Sequence, residues 1–159
     1  MRKVIVNTTP ILSLLKINKL HLLNEIYGSV IIPHAVYLEI ESGKGMEFYE
    51  DLNLKKWIEI KELKVPELRF SLKELDDGEA EVLILAKELD ADLVVIDETL
   101  GRLFAGQMGL KIAGTIGILL KAKELGLVEN VGNLLLELIS KGVWISPKLV
   151  EKAKLLAKE

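Results

Sequence analysis

Residues 74–98 read ELDDGEAEVLILAKELDADLVVIDE, a helical pattern followed by an apolar strand, both punctuated by acids. On a helix turned by about 100° per residue, Val82, Leu83, Leu85, Ala86 and Leu89 gather on one side. Glu79 falls inside that arc, while Glu81 and Glu88 lie opposite it. The strand from Asp92 to Asp97 is apolar on both faces, as a buried parallel strand must be, and it delivers Asp97 at its carboxyl end. A helix feeding a doubly buried strand is the unit of an α/β fold, and open parallel sheets form their sites at that carboxyl edge.

This stretch holds ten carboxylates against one base, Lys87, whereas the rest of the chain holds 14 acids and 20 bases. A chain of net charge −3 therefore carries an acidic locus on a mildly basic body, the layout of a protein that gathers divalent cations and meets polyanions. The plainer alternative is a solvated helix face. For Glu79 there is also a local alternative, because Asp76 and Glu79 have the spacing of a capping box.

Outward from this stretch the hydrophobic period keeps switching between strand and helix. Strands are expected at residues 3–7, 29–32, 57–60 and 110–113. Helices are expected at 9–15, 20–26, 34–41 (with Pro33 in the first helical position), 46–53, 98–108 and 115–125, and two more at 131–140 and 147–158. Residues 61–71 read as a charged connection. With 159 residues and 50% apolar content, the simplest organisation is a single domain over 1–159, with its C-terminal helices from about 131.

The absence of cysteine excludes disulfides and thiolate metal sites. No apolar run is long enough for a membrane span or secretory signal, so no membrane partner and a cytoplasmic location are expected. His21 and His34 match neither a zinc spacing nor a Ser or Cys triad and read as surface or capping residues. No GxGxxG or GxxxxGK[ST] is present. Gly114-Thr115 has the form of a strand-to-helix turn whose amides are able to meet a phosphate. Trp57 and Trp144 are isolated and read as core or interface packing rather than a stacking platform.

Two further segments join the acidic one. VIVN, residues 4–7, ends in a short polar residue much as LVVID does, so neighbouring parallel strands would project Asn7 and Asp97 from the same edge. In the helix after Pro33, Ala35, Val36 and Ile40 set the apolar arc; Glu39 falls within it and Glu41 faces away. An inward carboxylate is costly unless paired, hydrogen-bonded or bound to metal. Glu39, Glu79 and Asp97 are thus expected to converge, with Asn7, Thr8 and Thr9 at the rim and Glu41 and Glu81 as solvated neighbours.

Taken together, NTTPIL (7–12), IIPHAVYLEI (31–40), DDGEAEVLILAKEL (76–89), LVVIDETLGRLFA (93–105) and GTIGILLKAKELGL (114–127) resemble the PIN domain family, specifically small archaeal and bacterial members whose N-terminus reads like DTSPLI. The resemblance covers essentially the whole chain. It implies a three-layer α/β/α fold around a central parallel sheet, and an endoribonuclease using Mg²⁺ or Mn²⁺ to activate the water that attacks a phosphodiester. The family's four acids map onto Asn7, Glu39, Glu79 and Asp97 as metal ligands, with Glu39, Glu79 and Asp97 catalytic. Thr8, Thr9 and Glu98 take supporting places, and Arg102 and Thr115 are candidate substrate contacts. RNA, single-stranded or structured, a homodimer and an antitoxin protein are the partners it suggests.

Asn7 departs from that pattern. It keeps a carbonyl oxygen able to ligate a hard cation but lacks the charge of the family's first acid. It reads as a weaker ligand, as a cap of the following helix, or as a degenerate position in an inactive member. Three functions stay open: a ribonuclease, with the toxin role of many relatives as one form of it; a weakly catalytic RNA-binding or regulatory module; and an oligomeric scaffold assembled through the Leu-rich helix.

Overall fold

The computed structural model describes residues 2–159. Five short parallel strands form one sheet: β1 (Val4–Val6), β2 (Val30–Pro33), β3 (Ile58–Lys61), β4 (Leu93–Val95) and β5 (Ile112–Ala113), in the order β3-β2-β1-β4-β5. The helices are α1 (Thr8–Lys16), α2 (His21–Tyr27), α3 (His34–Glu41), α4 (Asp77–Leu89), α5 (Thr99–Gln107), α6 (Thr115–Glu124), α7 (Val131–Ser140) and α8 (Pro147–Leu156). They flank the sheet in the three-layer arrangement that the sequence predicts. β1 and β4 lie at the centre with every residue buried, which explains why they read as unbroken apolar runs. Val6 pairs with Val95, so both central strands end at the same level.

Three local expectations fail. Residues 46–53 form no α-helix; they run through turns to a 3₁₀ turn at Leu52–Leu54, where the Asp51 carboxylate accepts the Asn53 amide. That local bond offers the backbone an alternative to helix, and the segment is too short to resist it. Pro33 stands just outside α3, because it still pairs with Lys61 across β2 and β3. The connection 61–71 folds into a 3₁₀ segment, Pro66–Leu72, that packs on α4. It covers the side of α4 predicted to be solvated, and Glu81 is buried there at 8% exposure.

Candidate active site

The level ends of β1 and β4 bring Asn7 and Asp97 to the same carboxyl edge of the sheet, and the Asn7 amide continues the ladder by donating to Val95 O at 2.9 Å. Asn7 is buried and occupies the N-cap position of α1, yet its side chain does not cap the helix. Its Nδ2 instead donates to Glu98 Oε2 at 3.1 Å, while the Thr9 hydroxyl donates to Glu98 Oε1. Of the three sequence readings of Asn7, the helix cap is thereby removed.

Asp97 is fixed from the opposite side. Thr115 at the start of α6 donates its backbone amide to Asp97 Oδ1 at 2.8 Å and its hydroxyl to Oδ2 at 2.6 Å. The approach needs glycine at 114, where a Cβ would lie 2.7 Å from Asp97 Oδ1 and 3.0 Å from an Arg102 nitrogen. Burial raises the Asp97 pKa, the Thr115 hydroxyl and amide pull it down, Glu98 pushes it up and Arg102 lowers it. Thr115 therefore positions Asp97 and spends on it the groups predicted to meet substrate. Arg102 is half-buried, with one guanidinium nitrogen held by Ile96 O at 3.0 Å.

α4 brings Glu79. The Asp76 carboxylate caps the helix by accepting the Glu79 amide at 2.8 Å, so the capping-box reading holds for that arm. Glu79 is buried as well, and its pKa is pushed up to about 7. Burial is the main cause; the Asp76 and Glu98 carboxylates add to it, and the Asp76 backbone amide offsets part.

Glu39 corrects the helical phase drawn from sequence. It is exposed and Glu41 is half-buried, the reverse of expectation. The segment after α3 covers Glu41, whose carboxylate accepts from Tyr49 Oη and pairs with Lys44 Nζ at 3.1 Å. Glu39 nevertheless bends its carboxylate against Gly78 at the start of α4. Its pKa is raised by partial burial and by Asp76, Glu98 and Asp77, and the nearby Thr8 hydroxyl offsets part of that rise. Thr8 Oγ1 is itself buried and completes no regular hydrogen bond.

Glu81, predicted to be solvated, accepts the Ala35 amide at 3.2 Å and Arg69 at 3.1 Å and so ties α4 to α3 and to the 3₁₀ segment. His21 is exposed; His34 is half-buried and stacks on Tyr37. Trp57 packs against the core, whereas Trp144 is 84% exposed and belongs to no core.

Sequence reasoning gave Glu98 only a supporting place. Here it is the common neighbour, bonded to Asn7 and Thr9 and raising the pKa of Glu39, Glu79 and Asp97 alike. The adjacent acids Asp97-Glu98 leaving a buried strand were the available signal. The donors are all oxygen, as a hard divalent cation requires, and the crowded carboxylates suit such an ion. Among the described residues, no three acid or histidine side chains lie close enough to hold one ion as they stand.

The family model described as DUF3368, PIN domain, matches residues 3–159. The chain belongs to the PIN domain family. The PIN domain gives it a nuclease-type fold. No curated protein and no solved structure shows a significant match to it. Among the described residues of this PIN domain, no helix is long and apolar enough to cross a membrane.

Proposed function

We propose that this PIN domain is a slow endoribonuclease dependent on Mg²⁺ or Mn²⁺. One observation carries the reading: at the carboxyl ends of the central strands Asn7 and Thr9 hold Glu98 and Thr115 holds both oxygens of Asp97, while Glu39 and Glu79 meet at the start of α4, so four acids from three segments crowd one sheet edge. Such crowding is unfavourable in an empty cleft and is relieved by a cation.

Glu39, Glu79, Asp97 and Glu98 would hold the ion once it draws their carboxylates closer together than they stand, with the Asn7 carbonyl oxygen as a neutral donor. A bound divalent cation would supply water activation and offset charge on the phosphoryl oxygens. The chain's own contribution is placement. Thr115 fixes both oxygens of Asp97, and Asn7 and Thr9 fix those of Glu98. The neutral Asn7 is why turnover is expected to be slow, and it is the observation that favours an RNA-binding or regulatory module as the second reading. The proposed ligands all come from one chain; an antitoxin and a second copy are partners the family resemblance suggests.

A thermal-shift titration separates these readings from a scaffold. Mn²⁺ should stabilise the wild type, and Asp97→Asn and Glu79→Gln should reduce the response, with Ca²⁺ and Zn²⁺ as comparisons. Equal Mn²⁺ stabilisation in all three proteins would remove the acids from the site.

A further inference from the structure

Trp144 is the most exposed large apolar side chain among the described residues, at 84%. It stands in the short connection between α7 and α8, and that connection is anchored at both ends. The Val143 amide donates to Leu138 O at 3.0 Å, and the Ser146 hydroxyl accepts the Leu149 amide at 3.1 Å as the cap of α8. The indole is therefore presented on a fixed frame rather than on a loose tail.

Trp144 stands between two hollows: a larger apolar one with Leu136, Ile139 and Pro147, and a smaller one that reaches Asp97 and makes the position informative. The volume of the smaller hollow is about 230 Å³, and Thr9, Asp97 and Thr115 from the sheet edge line it jointly with Val143, Trp144 and Leu149. An exposed aromatic face and an acid of the proposed active site thus share one hollow. A polyanion drawn into this cleft is repelled by the carboxylates, so a neutral attraction beside them has particular value. Stacking on an indole supplies it, and only a base free of its own stack can use it.

We propose that Trp144 is a stacking platform for one unpaired nucleobase of the RNA strand whose phosphodiester reaches Asp97. The inference rests on the ribonuclease reading and adds to it one residue that binds substrate. The purine or pyrimidine identity is read loosely, because every base has a π-face. Trp144 is then a substrate-binding residue outside the acid cluster.

The test is fluorescence anisotropy of a labelled single-stranded oligouridylate and of its duplex with oligoadenylate, with Mn²⁺ present and before cleavage sets in. Wild type, Trp144→Ala and Trp144→Phe are compared, and sedimentation velocity reports the oligomeric state of each. Trp144→Ala should weaken single-strand binding roughly tenfold or more, Trp144→Phe should retain most of it, and duplex affinity should not change. Unchanged single-strand affinity in Trp144→Ala overturns the platform, as does an equal loss for single strand and duplex. Loss of a dimer in Trp144→Ala with unchanged RNA affinity also overturns it and assigns the indole to contact between copies. Failure of the wild type to bind single-stranded RNA at all would instead overturn the ribonuclease reading beneath it.

Discussion

Asn7 donates its side-chain amide to the Glu98 carboxylate at 3.1 Å, across the carboxyl ends of the two central strands. A carboxylate at position 7 would replace that attraction with two acids in contact, which cannot both stay ionised without a counter-ion. Asn7→Asp should therefore lower the melting temperature of the cation-free protein by about 3 to 8 °C, the loss of one charge-assisted hydrogen bond in a chain of this size. Added Mn²⁺ should more than restore it. A variant more stable than wild type in EDTA would show that Glu98 does not carry the charge assigned to it.

Glu79 makes the cleft sensitive to pH. Its pKa of about 7 in the fold exceeds the ordinary 4.5, so the folded state binds the proton more tightly than the unfolded chain. The stabilisation is fully present below about pH 4.5 and is lost as pH rises through about 7. Glu79→Gln should match wild type near pH 4.5 and exceed it near pH 8, by on the order of 2 kcal/mol after discounting for solvent in an open cleft. Denaturant unfolding of the two proteins across this range measures the difference; a gap that shrinks as pH rises has the wrong sign.

Gly78 faces Glu39 so closely that an added Cβ would overlap Glu39 Oε1. The obstacle is the end of a flexible side chain, and alanine favours helix over glycine by up to about 1 kcal/mol. Gly78→Ala should keep or slightly raise thermal stability while displacing the Glu39 carboxylate and weakening the Mn²⁺ response. Unfolding with an unchanged Mn²⁺ response would contradict that placement.

Much of this was legible in the sequence, because β1 and β4 are buried on both faces and α4, α6 and α7 carry long periodic patterns. The edge positions of Asn7 and Asp97 follow from strand ends alone. The faces of α3 and α4 do not. Whether Glu41 or Glu81 meets water depends on segments that carry no period of their own, residues 42–51 over the first and Pro66–Leu72 over the second. The core half of the Trp144 reading fails for the same reason, since no local pattern tells a buried tryptophan from an exposed one.

Glu81 offers a contrast within the same helix. Because it accepts the Ala35 amide and Arg69 while buried, Glu81→Gln should cost about 1 to 3 kcal/mol and lower the melting temperature by several degrees. The Mn²⁺ response should persist. No loss of stability would restore the solvated reading, and loss of the Mn²⁺ response would move Glu81 into the site.

The most direct measurement is cleavage of single-stranded RNA with Mn²⁺ by wild type, Asn7→Asp, and Asn7→Asp combined with Asp97→Asn. The account predicts slow cleavage by wild type that EDTA abolishes, and a ten- to thousandfold gain in Asn7→Asp, about 1.4 to 4 kcal/mol of transition-state stabilisation from one charge. The double variant should be inactive. Cleavage that persists in EDTA, or no cleavage by any variant across diverse RNAs, would contradict it.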